Sequence, residues 1–173
     1  MKDLINKIDA FGEKIIGFIY NKNRFIDKLM IAVTLSGELG IIWIIISFFL
    51  FSRTKYTKEA IMVLLAIALA SILGEGIIKH IVKRKRPFIK NNIIKLMISQ
   101  PGTYSFPSGH TASSFAAATV FIRTDMRLTS LIVAIAVLIS FSRLYLRVHY
   151  LSDVIGGIIL GVFSGTIVVM IFK

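Results

Sequence analysis

Three short groups of residues carry the chemistry this sequence offers. The first is Lys79, six residues, then Arg86-Pro87. The second is Phe106-Pro107-Ser108-Gly109-His110, and the third is Ser142-Arg143, five residues, His149, three residues, Asp153. Lysine and arginine bind phosphate oxygens as charged donors. An imidazole beside a carboxylate makes a nucleophile or a general base. Each group also has an ordinary reading. Bases at a helix end anchor membrane proteins at the interface. Pro107 and Ser108 suit a turn and a helix N-cap, and Asp153 suits a cap as well. The two readings are compatible. A helix starting at Ser108 presents free N–H groups and positive dipole charge to an anion. Gly109 lets backbone approach closely, and His110 falls in the first turn. His149 and Asp153 share a face if one helical turn holds both. A carboxylate against one ring nitrogen fixes the tautomer and makes the other nitrogen more basic. Lys79 follows Glu75 by one turn, so the pair can neutralise each other in an apolar setting. Lys83, Arg84 and Lys85 read as interface anchors, and His80 as structural.

The elements that must position these groups are long apolar blocks. Hydrophobic residues make up 55% of the chain, and the mean hydropathy is +0.79. That is too apolar for an ordinary soluble domain and marks transmembrane helices. The expected fold is all-α, a polytopic transmembrane helix bundle of five spans. An N-terminal amphipathic helix over residues 3–20 either lies in the interface or forms a sixth span. The spans are expected over residues 39–51, 60–78, 108–122, 128–146 and 154–172. A helix from Phe25 should continue through Ser36-Gly37-Glu38 into the first span, and Pro87 should end the second. Residues 88–106 form a polar connection whose Ile93, Ile94, Leu96, Met97 and Ile98 suit the bilayer surface. Residues 1–173 read as a single membrane-embedded domain, with 1–22 as the interfacial helix. Spans alternate in direction, so the loops after the second and fourth share one membrane face. All three groups fall there.

Composition narrows the partners. The formal net charge is +12. Because the bases flank apolar segments, lipid headgroups are the expected anionic partner, and nucleic acid is not. The chain has no cysteine, which excludes disulfides and thiolate metal sites. Its nine acidic residues are scattered. They form no carboxylate cluster for Mg²⁺ or a metal pair, so neither a metal nor another cofactor is expected.

In order and spacing, the three groups resemble the signature of the type 2 phosphatidic acid phosphatase family. Related motifs occur in bacterial acid phosphatases and vanadium haloperoxidases. Eleven specified positions match, from Lys79 to Asp153. The resemblance implies a nucleophilic His149 that becomes phosphorylated, oriented by Asp153. It implies that His110 protonates the leaving oxygen and then serves as base for the attacking water. Lys79, Arg86 and Arg143 would clamp the equatorial oxygens, assisted by Ser108, Gly109 and Ser142. It implies a membrane lipid phosphatase without a metal. Undecaprenyl pyrophosphate is the preferred substrate, with phosphatidylglycerophosphate or phosphatidic acid as the alternative. It also implies a bacterial plasma membrane, with the site on the outer face. A non-enzymatic lipid-binding scaffold or transporter is the competing class, with Glu38 and Glu75 marking its path. Such a protein has no need of both His110 and the His149–Asp153 pair. A haloperoxidase is less apt, since those relatives are soluble.

Overall fold

The computed structural model describes residues 2–90 and 96–172, and no strand occurs among them. Helix α1 is Lys2–Ile19. Asn23 caps α2 (Arg24–Ser36), its side-chain oxygen accepting the Phe25 and Ile26 N–H groups at 2.9 and 3.3 Å. This satisfies two donors that a helix start leaves open. Helix α3 is Ile41–Phe51, and α4 is Thr57–Ser71. Helix α4 passes through a π-helical stretch, Ile72–Ile78, into α5 (Lys79–Val82). A short α6 (Pro87–Lys90) precedes α7 (Gly109–Arg123), α8 (Thr129–Tyr145) and α9 (Leu151–Phe172).

Helix α7 is the hub, packed against α4, α8 and α9. Its small residues Ala112, Ala116, Ala117 and Ala118 are buried, so neighbouring helices can approach closely. Gly157, Gly161 and Gly165 recur every four residues on α9 and face α7. A Cβ on Gly161 would lie 2.5 Å from the Ala112 carbonyl oxygen and 2.8 Å from the Ala116 nitrogen. Both are backbone atoms, so the helices would have to part. Gly161→Ala is expected to cost about 1–3 kcal/mol of stability. Gly76→Ala, with nothing within 4 Å of its new Cβ, should leave the Tm near that of the parent. Thermal unfolding in detergent reads the difference. Trp43 ties α3 to the hub through Nε1, which donates to Ser114 Oγ at 3.1 Å.

The outer surface is apolar. Phe25, Phe48, Ile81, Ile159, Met170 and Ile171 are among its exposed side chains, as a lipid-facing surface requires. Among the described residues two stretches, Thr54–Ile89 with its stop at Lys83 and Leu151–Phe172, are long and apolar enough to cross a bilayer. The α2–α3 pair makes a third if its two halves count as one span. Helix α8 is apolar but shorter. Helix α7, with 15 residues, covers about 22 Å at the helical rise, short of a ~30 Å hydrocarbon core.

Two boundaries differ from the expectation. The chain does not continue helically through Ser36-Gly37-Glu38. Leu39 and Gly40 take positive φ (51° and 71°), and the two halves bend by 50°. Pro87 does not end the span that begins near Ala60. The helix stops at Lys83, which is left-handed at φ 48°. Pro87 instead opens α6, where its missing N–H costs no hydrogen bond. Ile93 and Ile94, expected on the bilayer surface, lie outside the described residues.

Candidate active site

Lys79 begins α5, directly after the π-helical stretch, and is buried. Its Nζ lies 2.7 Å from Glu75 Oε1 and donates to Glu75 Oε2 at 2.9 Å and Thr103 Oγ1 at 3.0 Å. Arg86 is also buried and is held on every side. Nε donates to the Thr103 carbonyl at 2.7 Å, and Nη2 to Thr103 Oγ1 and the Tyr104 carbonyl. Nη1 donates to the Val148 carbonyl at 2.9 Å and lies 3.2 Å from His149 Nε2. Thr103 thus gathers both cations, although neither its type nor its position marks it in the sequence.

His149 and Asp153 are brought together in a way the sequence reading did not anticipate. His149 precedes α9 and shares no helical turn with Asp153. The pair meets because Asp153 caps the helix: its Oδ2 accepts the Tyr150 N–H at 2.8 Å, the reciprocal half of a capping box. That pins the carboxylate 3.6 Å from His149 Nδ1, just beyond hydrogen-bond length. The tautomer follows from the donors. A guanidinium can only donate, so Arg86 fixes Nε2 as an acceptor. The proton is therefore on Nδ1, facing Asp153. Burial pushes the His149 imidazole down to about 3, with Arg86 and Arg143 acting in the same direction and Asp153 opposing. The ring is neutral at pH 7, with its lone pair on Nε2.

The broken α2–α3 helix supplies a further wall. Arg143 Nη1 donates to Thr34 Oγ1, and the His110 ring lies against the same break. A Cβ on Gly37 would meet His110 Cδ2 at 3.2 Å, so the break leaves room for that ring. The buried Nε of Arg143 has no hydrogen-bond partner among the described residues, which leaves a charged donor open to an oxyanion. Arg143, His149 and Lys79 all lie close enough to act electrostatically on His110. Arg86 and Arg143 both act on His149.

The remaining sequence candidates divide. Ser108 holds the N-cap position of α7, but its hydroxyl caps no helix N–H and accepts from Thr111 Oγ1 at 3.0 Å. Gly109 packs against Glu75, whose Oε1 would lie 2.3 Å from an added Cβ. Ser142 turns its hydroxyl to the Ile139 carbonyl of its own helix, at 2.6 Å. His80 is exposed, its ring edge-on to Tyr104. Arg84 is no interface anchor: it reaches Asp153 Oδ1, Ser152 Oγ and Asp9. A cavity of about 650 Å³ reaches Lys79 and Arg86 from the side of residues 100–104. A second, of about 340 Å³, reaches His149 from beneath α1. Among the described residues, no group of three or more His, Asp or Glu gathers as a metal site.

Buried cations thus gather around an imidazole in an apolar helical bundle. Residues 59–173 match the model of the PAP2 superfamily, and the chain belongs to that family of membrane lipid phosphatases. It is 32% identical over 159 residues to an undecaprenyl-diphosphatase of Sulfolobus acidocaldarius, covering 87% of this chain and 76% of the relative. It is 33% identical over 144 residues to a lipid A 4'-phosphatase of Porphyromonas gingivalis, covering 75% of this chain and 61% of that one. Its fold is similar to the crystal structure of a transmembrane PAP2-type phosphatidylglycerolphosphate phosphatase of Bacillus subtilis. The TM-score is 0.77 at 22% identity, over 98% of this chain and 86% of that one.

Proposed function

We propose that this chain transfers a phosphoryl group from a lipid phosphate to His149 Nε2 and then to water. The observation that carries the reading is the 3.2 Å approach of Arg86 to that nitrogen, with Arg143 acting on the same imidazole and His110 within electrostatic reach of His149, Arg143 and Lys79. A bound phosphate would draw the guanidinium onto its own oxygens and free the lone pair. Nε2 then bonds to phosphorus as the bond to the leaving oxygen breaks. The charge of the bound phosphate favours a protonated His110, which gives its proton to that oxygen and is left neutral. The His149 ring becomes cationic, and its Nδ1–H closes on Asp153. In the second step a water attacks the phosphohistidine, loses its proton to His110, and releases inorganic phosphate with neutral His149. Lys79, Arg86 and Arg143 hold the equatorial oxygens throughout. Phosphoryl transfer needs mainly such positioning and charge, which these side chains supply without a metal.

Within this reading the substrate is undecaprenyl pyrophosphate, with undecaprenyl phosphate as the leaving group. The named activity of the Sulfolobus relative supports it. The lipid A and phosphatidylglycerophosphate activities named for the other two keep those headgroups as the alternative. Phosphate release by the purified chain from undecaprenyl pyrophosphate, phosphatidylglycerophosphate, phosphatidic acid and lipid A, all in EDTA, tests both levels. The expected result is the highest kcat/KM on undecaprenyl pyrophosphate, no loss in EDTA, and inhibition by vanadate. A different best substrate reassigns the headgroup. A strict divalent-metal requirement contradicts the mechanism, and no turnover on any of them returns the chain to the scaffold class.

A further inference from the structure

The carboxylate facing His149 is itself held from outside the segment that matches the family. Asp153 is wholly buried, and a buried carboxylate stays ionised only with compensating charge and hydrogen bonds. Its Oδ2 is taken by Ser105 Oγ and the Tyr150 N–H. Its Oδ1 accepts Arg84 Nη1 at 2.5 Å. That guanidinium is fixed in turn. The same Nη1 donates to Ser152 Oγ at 2.6 Å, and the Arg84 Cζ sits 4.1 Å from the centre of the Tyr150 ring. Nη2 pairs with Asp9 Oδ2. The two nitrogens of one fork therefore each hold a different carboxylate, which a lysine cannot reproduce.

Asp9 belongs to α1, 75 residues before Arg84 in the chain, and it is buried although it is charged. Its second oxygen accepts the Ser152 N–H at 3.1 Å and Ser152 Oγ at 2.7 Å. Asp9 thus caps the first turn of α9 from a different helix and also sets the orientation of Arg84. Gly12, one turn further along α1, makes the contact possible: a Cβ there would lie 2.8 Å from Leu151 Cβ. Were α1 only a membrane anchor, its inward face would need apolar side chains and no buried carboxylate.

We propose that Asp9 and Arg84 are positioning residues for phosphoryl transfer, keeping Asp153 ionised and aimed at His149 Nδ1. Helix α1 is then part of the machinery, though the family segment begins at residue 59. The proposal rests on His149 being the nucleophile. Without Asp9, Arg84 loses one of its two counter-charges and can turn toward solvent, to which it is already partly open. Asp153 then no longer has a fixed partner behind it, and the cationic ring formed during attack is poorly stabilised. Substrate binding, which falls to Lys79, Arg86 and Arg143, is untouched.

The test uses the full chain in detergent or lipid nanodiscs, with phosphate release read as kcat and KM separately. Asp9→Asn and Arg84→Lys should each lower kcat about tenfold to a hundredfold with KM nearly unchanged. The double variant should lose little more than the worse single one, because both act through one carboxylate. Asp3→Asn, on the exposed start of α1, should match the parent. Parental kcat in either single variant, a loss confined to KM, or fully additive losses in the double variant would each overturn the proposal. If Asp9→Asn melts below the assay temperature, Arg84→Lys decides alone by the same kcat and KM criteria. His149→Ala run alongside separates the two levels. If it retains activity, the nucleophile reading fails. If it is inactive while Arg84→Lys keeps parental kcat, only the positioning role fails.

Discussion

Replacing His149 with alanine should lower phosphate release by at least about a thousandfold, because removing the nucleophile leaves only binding and electrostatic stabilisation to act. The fold should survive. His149 precedes α9, and the cap on that helix is made by Asp153 and Asp9, not by the imidazole. Its burial also costs the protein something, since its Nδ1 has no hydrogen-bond partner among the described residues. Initial rates on the best substrate, together with a melting curve in the same detergent, check the result. A folded His149→Ala protein keeping more than about a tenth of the parental rate contradicts a covalent phosphohistidine route.

The second large effect separates activity from stability. Arg143 is a buried cation whose Nε has no partner among the described residues, set near Arg86 and Lys79. Like charges crowded in an apolar bundle destabilise the resting protein, a cost that the proposed phosphate site would explain. Arg143→Met keeps the length and removes the charge. It should lower kcat/KM about a thousandfold, on the scale of losing a charged transition-state donor. The Tm without ligand should stay level or rise. Adding vanadate should raise the Tm of the parent and leave the variant unmoved. A variant that loses both activity and stability would show that Arg143 serves the fold rather than the phosphate.

The difference between what was legible in the sequence and what was not follows the range of the interactions. The groups at Lys79–Pro87, Pro107–His110 and Ser142–Asp153 are legible because residue type and short spacing carry their chemistry. The expected alternation of spans put them on one face, and the structure brings Lys79 and Arg86 onto Thr103 and Arg86 onto His149. The residues that hold them were not legible. Thr34 serves Arg143 across 109 positions, and Thr103 serves Lys79 across 24. Threonines at such separations carry no local pattern. Arg84 was masked by its neighbours: between Lys83 and Lys85 it reads as one more interfacial base. Asp9 looked like an ordinary charge on an amphipathic helix, because α1 turns residues such as Leu4, Phe11 and Phe18 outward and reverses the usual sense of amphipathicity. The break at residues 36–40 was missed, since the helix was expected to continue through Gly37. The left-handed Leu39 within it depends on packing that only the assembled bundle supplies. Likewise His149 and Asp153 do meet, through a capping box instead of a shared helical turn.

The most direct measurement is a crystal structure of the full chain grown with orthovanadate. The account predicts vanadium bonded to His149 Nε2, with Lys79, Arg86 and Arg143 on its equatorial oxygens and His110 beside the oxygen opposite the bond. Vanadate seated away from this cluster, or two imidazoles unable to flank one vanadium atom, would contradict it.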